Sequence, residues 1–132
     1  MDETEIRQIL TTAHTIATVG LSANPDKPGH RVARYLMDHG YRVIPVNPTV
    51  TEVLGQTSYP SLLDVPEKVD VVQIFRRSAD VPPVVAQAIQ IGAHVVWMQE
   101  GIINEEAAAQ ARAAGLKVLM DRCMMKDHRR LM

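Results

Sequence analysis

Short apolar runs alternate with helix-like segments along the whole chain, and this alternation constrains the fold more than any other feature of the sequence. The runs are five to seven residues long and rich in valine and isoleucine. Continuous apolar runs of this length are typical of parallel strands that are buried on both faces of a sheet. The predicted strands cover residues 16–21, 41–46, 69–75, 93–98 and 116–120.

Glycines and capping residues mark the predicted helices between these runs. Asn104 is placed to cap a helix, because its side chain can accept a hydrogen bond from the first turn, and Gly115 ends that helix. Gly40 ends an earlier helix in the same way. The other predicted helical segments are 2–13, 29–38, a turn at 61–64 and 82–91, and we expect residues 121–132 to form a polar tail.

Strands joined by helices define the fold class. Right-handed crossovers place the carboxyl ends of all parallel strands at the same edge of the sheet. The sequence therefore predicts an α/β fold, a single doubly wound Rossmann-like domain over residues 1–132. Its five-stranded parallel sheet is expected in the order 3-2-1-4-5, with helices on both faces.

Charge and composition exclude several classes of partner. The net charge of −1 provides no general attraction to nucleic acid, and the single cysteine allows no internal disulfide. The acidic N-terminus lacks the features of a signal peptide, and no apolar stretch is long enough to span a bilayer. We therefore expect a cytoplasmic protein without nucleic-acid or membrane partners.

The loop after the first strand has the features of a phosphate site. Gly20 ends the strand, and a helix begins about ten residues later, so free N–H groups and the positive end of the helix dipole face one point. The loop departs from the dinucleotide fingerprint, which would need Gly in place of Ser22 and Gly or Ala in place of Pro25. The side chains in this loop that can donate to phosphate are those of Ser22, Asn24, Lys27, His30 and Arg31.

The ends of the other strands meet this loop at the carboxyl edge, near an expected switch point between the first and fourth strands. Asn47 follows the second strand, where an NAD site usually has Asp or Glu, so NAD is disfavoured. Arg42, which could serve NADP, lies at the wrong end of its strand. The third strand ends at Phe75, which is either a core residue or a wall for adenine. Arg76 and Arg77 are expected to function at the site, and the alternative is that one of them only pairs with Asp80 or Glu100.

Five segments together resemble the small bacterial and archaeal coenzyme A (CoA) binding proteins, which are similar to the nucleotide-binding domain of the succinyl-CoA synthetase alpha subunit. The segments are VGLSANP at 19–25, PVNP at 45–48, IFRR at 74–77, WMQEG at 97–101 and MDRC at 120–123. The resemblance covers about residues 4–130 and implies CoA or an acyl-CoA as the ligand.

The resemblance also implies a role for particular positions. It places the CoA phosphates at Gly20, Ser22, Asn24, Lys27 and Arg31. It places the adenosine beside Asn47, Pro48, Phe75 and Arg76. It places the pantetheine arm towards Gln99, Glu100 and Gly101.

Binding without catalysis is the expected function. The synthetase needs a phosphorylatable histidine further along its chain, and this chain ends at Met132. No paired acid and base and no metal-ligand spacing is visible, so no catalytic or metal residue is assigned. The alternatives are an NADP-dependent or acyl-CoA-utilising enzyme and a CoA-sensing regulatory subunit. A homodimer or a protein partner is also considered.

Cys123 leaves two interpretations open. A single cysteine is commonly a small buried apolar residue. Its position after the fifth strand also permits a mixed disulfide with the CoA thiol, which the intact mass under non-reducing conditions would reveal.

Overall fold

The computed structural model describes all 132 residues, and its central feature is a parallel sheet with helices on both faces. In chain order the strands are β1 (Thr15–Val19), β2 (Arg42–Val46), β3 (Glu52–Val53), β4 (Gln56–Thr57), β5 (Val71–Ile74), β6 (Val95–Met98) and β7 (Lys117–Leu119). The helices are α1 (Glu3–Thr12), α2 (Pro28–Asp38), α3 (Val81–Gln90), α4 (Glu105–Ala113) and α5 (Met124–Leu131). The predicted α/β class is confirmed.

The order of the strands corrects the prediction. The sheet has the order β2-β1-β5-β6-β7, so the third predicted strand lies beside the first, and the order 3-2-1-4-5 is wrong. The outer edge of β2 is occupied: Asn47 N–H donates to the carbonyl of Tyr59 at 2.9 Å, and Tyr59 N–H donates to that of Pro45 at 3.1 Å. The chain reaches this edge through the β3–β4 hairpin.

Because β1 and β5 are neighbours in this strand order, the switch point of the sheet lies between them, and not between the first and fourth predicted strands.

Two apolar clusters fill the spaces on either side of the sheet. One contains Leu36 of α2, Met124 of α5 and Trp97 of β6. The other contains Val85 of α3 and Ala108 of α4. Strand side chains point into both clusters, which explains the continuous apolar runs of the sequence.

The last helix, α5, was not predicted, and the expectation of a polar tail over residues 121–132 is wrong. Leu131 and Met124 are buried in the core. Asp127 is also buried, but its carboxylate accepts two hydrogen bonds from Arg122, at 2.8 and 2.9 Å, and one from Arg130 at 3.2 Å. These contacts compensate the burial of the charge, so a segment that is polar in composition packs against the core.

None of the five helices combines the length and the apolar character that crossing a bilayer requires. Asn104 caps α4 as predicted, since its Oδ1 accepts a hydrogen bond from Ala107 N–H at 2.9 Å.

Candidate ligand-binding site

Gly20 allows β1 and β5 to converge at the switch point. Its φ of +88° lies in the left-handed region, and a Cβ at this position would lie 2.4 Å from the carbonyl oxygen of Phe75. Any side chain would therefore displace the backbone of one of the two strand ends. Glycine is required here for the close approach as well as for the turn.

Phe75 joins the end of β5 to the start of α2. A Cβ on Gly29, in the first turn of α2, would lie 3.3 Å from Cγ of Phe75, so the ring packs directly against the helix backbone. The ring also contacts the apolar cluster beneath it. Phe75 therefore packs on the core and also lines open space, and its role as a wall for adenine stays a prediction.

Two adjoining cavities lie at this edge. The first cavity, of about 400 Å³, is lined by Gly20, Ser22, Lys27, Pro28, Gly29, Phe75, Arg76, Arg77 and Ile102. The second cavity, of about 300 Å³, is lined by Pro28, Arg31, Val32, Phe75, Gln99, Glu100, Ile102, Cys123, Met125 and Lys126. Pro28, Phe75 and Ile102 line both cavities, which together form one bipartite cleft.

Positive charge without a protein partner characterises the first cavity. Lys27 and Arg76 form none of the ion pairs of the structure, whereas Arg77 pairs with Asp80 at 3.0 Å. The alternative in which one of the two arginines pairs with an acidic neighbour holds for Arg77, and Arg76 is unpaired.

The N-terminus of α2 has no side-chain cap and no acidic residue in its first turn. Pro28 has no N–H, and the N–H groups of His30 and Arg31 donate to the carbonyl of Lys27. The Gly29 N–H and the two cations are therefore the groups that suit an anion.

Ser22 and Asn24 shape the loop with their side chains. The Ser22 hydroxyl accepts a hydrogen bond from Asn24 N–H, and Asn24 Oδ1 accepts one from Asp26 N–H, both at 3.0 Å. Ser22 also lines the first cavity, whereas Asn24 lines neither cavity.

The second cavity combines charged, amide and sulfur groups. Lys126 and Glu100 form an ion pair of 3.0 Å at this cavity, and the hydrogen bond that Lys126 donates to Glu100 raises the pKa of Lys126. Arg31, predicted at the phosphate loop, lines this cavity and not the first. Cys123 also lines it, with 6% of the residue exposed.

A ladder of buried polar side chains connects the sheet to this cavity. The hydroxyl of Thr18 donates to Oε1 of Gln73 at 2.8 Å, and Nε2 of Gln73 donates to Oε1 of Gln99 at 3.2 Å. Thr18 and Gln73 are fully buried. Sequence reasoning missed this ladder, although a glutamine within the apolar run at 69–75 was its signal.

Several predicted site residues lie outside the cleft. Asn47 donates from Nδ2 to the carbonyl of Leu21 at 3.0 Å, so its amide holds two loops together. Pro48 is exposed beside it. Gly101 N–H donates to the carboxylate of Asp121 at 2.7 Å. Asn47, Pro48 and Gly101 line neither cavity.

Sequence reasoning also missed residues that line the cleft. Pro28, Gly29 and Ile102 were not singled out, although a Pro-Gly pair at the start of α2 marks a close helix approach. Met125 and Lys126 were missed because α5 was not predicted.

A cavity of about 640 Å³, larger than either cavity of the cleft, lies at the opposite, amino edge of the sheet. The carboxylate of Asp70 lines it and accepts hydrogen bonds from the N–H groups of His14 and Thr15, both at 2.9 Å. Burial alone would raise the pKa of Asp70, but these hydrogen bonds, together with the charges of His94 and Lys68, outweigh burial and lower it. We assign this carboxylate to structure, because ligands of doubly wound sheets bind at the carboxyl edge.

A doubly wound α/β domain with a cationic cleft at its switch point is the class that the fold and the site define. Within this class the chain belongs to the CoA binding domain family, whose sequence profile matches residues 14–129. The family resemblance drawn from the five sequence segments is thereby confirmed.

Three relatives show how far the similarity extends. The chain is 41% identical over 124 residues to the uncharacterized protein YneT of Bacillus subtilis, covering 94% of this chain and 92% of that protein. A solved structure of a hypothetical protein from Pyrococcus horikoshii has 46% identity and a TM-score of 0.97, covering 99% of this chain and 92% of the other. The alpha subunit of an ADP-forming acetate–CoA ligase of Pyrococcus furiosus is 28% identical over 128 residues, covering 85% of this chain and 28% of that subunit.

Proposed function

We propose that this protein binds CoA or an acyl-CoA in the bipartite cleft and has no catalytic activity of its own. The observation that carries the proposal is the pair of unpaired cations, Lys27 and Arg76, beside the uncapped N-terminus of α2 at the switch point. Membership of the CoA binding domain family supports this choice of ligand.

The residues present fit such a ligand in two parts. The first cavity would hold the pyrophosphate, because the first turn of α2 offers the N–H of Gly29 and Arg76 offers a guanidinium that can bind two oxygens. The pantetheine arm would pass Phe75 and Ile102 into the second cavity. The adenosine would extend towards Asn47 and Pro48, outside the cleft.

The second cavity supports binding better than catalysis. Glu100, the acidic side chain among its lining residues, already pairs with Lys126. The curated ligases are several times longer than this chain, which spans 28% of the Pyrococcus furiosus subunit. We propose that the chain corresponds to the part of such ligases that holds CoA.

Thermal unfolding in the presence of different nucleotides tests the proposal. A ligand at a hundred times its Kd stabilises the native state by about 2.7 kcal/mol, so CoA or acetyl-CoA should raise the Tm by several degrees. NAD and NADP serve as controls and should leave the Tm unchanged. A rise with NADP and none with either CoA ligand would instead support the oxidoreductase alternative.

Location and assembly follow from the same proposal. We propose a cytoplasmic protein, in keeping with a buried free thiol at Cys123. A homodimer, or a protein partner that responds to bound CoA, stays a prediction. Light scattering with and without CoA measures whether the protein forms a homodimer.

A further inference from the structure

We propose that the side-chain amide of Gln99 donates a hydrogen bond to a carbonyl oxygen of the ligand arm in the second cavity. The inference rests on the proposed function, since it assumes that the arm of a CoA ligand enters this cavity. To the proposed function it adds which protein group recognises the arm, and that the group recognised on the arm is a carbonyl oxygen.

Two donors determine the orientation of the Gln99 amide. The backbone N–H of Met124 and Nε2 of Gln73 both donate to Oε1 of Gln99, each at 3.2 Å. A backbone N–H can only donate, so the atom facing Met124 must be the oxygen. Nε2 of Gln99 therefore occupies the other position of the amide.

Nε2 of Gln99 has no acceptor within the protein. The residue is 4% exposed and takes part in side-chain hydrogen bonds only through Oε1. Every side-chain nitrogen or oxygen that is fully inaccessible to solvent has a hydrogen-bond partner in the structure. The unpartnered Nε2 must therefore reach open space, and the second cavity is the space that Gln99 lines.

The buried ladder prepares this donor before any ligand binds. Thr18 holds Gln73, and Gln73 with the first residue of α5 holds Gln99. A donor whose position is already determined loses little conformational entropy when it binds. The ladder therefore acts as a positioning device for the amide.

The chemistry of the donor selects the acceptor. A neutral amide in a largely buried position suits a neutral carbonyl, while Arg31 and Lys126 in the same cavity provide the charged contacts. The pantetheine arm carries amide carbonyls, and an acyl-CoA adds a thioester carbonyl. Both are carbonyl acceptors that a free nucleotide phosphate does not provide.

Two variants test the inference by isothermal titration. Gln99→Glu keeps oxygens towards Met124 and Gln73 but replaces the donor with a carboxylate oxygen, and Gln99→Met removes the donor without adding charge. Each is titrated with acetyl-CoA, CoA and adenosine 3′,5′-bisphosphate, which lacks the arm. We expect both variants to bind acetyl-CoA about tenfold more weakly, as for the loss of one hydrogen bond to a buried acceptor. Binding of the bisphosphate should not change.

The ligand comparison separates the possible outcomes. A loss for acetyl-CoA alone supports the thioester carbonyl as acceptor, and a loss for both CoA ligands supports a pantetheine amide. Unchanged Kd values for both CoA ligands, or an equal loss for the bisphosphate, would overturn the inference. If the unaltered protein binds neither CoA nor acetyl-CoA, the proposed function itself fails and the inference falls with it.

Discussion

The hydroxyl group of Tyr35 lies 2.8 Å from Nδ1 of His128, and this contact joins α2 to α5. The ring of His39 stacks on Tyr35 with centroids 4.0 Å apart, and Tyr41 meets His128 edge-on at 5.7 Å. The guanidinium of Arg129 lies 5.1 Å from the centre of the Tyr35 ring. This cluster holds α5, whose first turn lines the second cavity, against the body of the domain.

The stability that this cluster gives to the fold should decrease as the pH falls below about 6.5. Burial, followed by the charge of His39, lowers the pKa of His128 below its ordinary value of 6.5. The folded state therefore binds the proton less readily than the unfolded state. The stability that His128 contributes is present above about pH 6.5 and is lost as the pH falls through the lowered pKa of the folded protein.

Urea unfolding between about pH 8 and pH 5 measures this dependence, with His128→Gln as the control. Glutamine can still bond to Tyr35 but does not titrate. The variant should lose less stability than the unaltered protein over this range. Equal losses in the two proteins would assign the pH dependence to other groups.

Gly20→Ala should destabilise the protein far more than an equivalent change at another left-handed glycine. At Gly20 the new methyl group meets the Phe75 carbonyl at 2.4 Å, whereas at Gly92, with φ of +75°, nothing lies within 4 Å. We expect the free energy of unfolding to fall by about 3 kcal/mol for Gly20→Ala and by about 1 kcal/mol for Gly92→Ala. Equal effects in urea unfolding would show that the close approach of the strand ends has no energetic role.

Arg76 and Arg77 form a matched pair for testing the phosphate site. Both line the first cavity, but Arg77 is bound to Asp80 and Arg76 is unpaired. Loss of a charge-assisted hydrogen bond costs about 1.5–3 kcal/mol, so Arg76→Ala should weaken CoA binding about tenfold to a hundredfold. Arg77→Ala should change the Kd much less. Titrations at two salt concentrations should show that the Kd of Arg76→Ala depends less on salt than that of the unaltered protein. A larger loss of CoA affinity for Arg77→Ala than for Arg76→Ala would contradict the proposed phosphate site.

Cys123 offers a chemical test of the second cavity. It is the only cysteine and lines that cavity, so alkylation by N-ethylmaleimide reports on a single position. Bound CoA should slow the alkylation, because the arm would cover the thiol, and adenosine 3′,5′-bisphosphate should not. The rate is measured by intact mass. A rate that CoA leaves unchanged would place the arm elsewhere.

Local sequence patterns were sufficient for the class of fold and for the edge of the sheet at which the candidate cleft lies. The alternation of apolar runs and helix signals predicts a parallel α/β sheet. This prediction is possible because each strand or helix pattern depends only on residues that are close together in the sequence. The same holds for the Asn104 cap and for the glycine at the end of β1. Since parallel strands end at one edge, the pattern also indicates where a ligand binds.

Contacts between residues that are far apart in the sequence decided the order of the strands, the packing of α5 and the lining of the two cavities. The sequence could not show that Tyr59 covers the edge of β2, that buried Asp127 is paired by arginines on both sides, or that Arg31 lines the second cavity. The ladder from Thr18 to Gln99 joins one residue of β1, one of β5 and the residue that follows β6.

The sequence by itself therefore determined the strands of the parallel sheet, the helices between them and the glycine turn at the edge where the candidate cleft lies. Only the tertiary structure decided the strand order, the packing of α5 and the direction of the Gln99 amide. The physical reason is that local propensity depends on a few consecutive residues, whereas strand neighbours and buried hydrogen bonds depend on groups far apart in the chain.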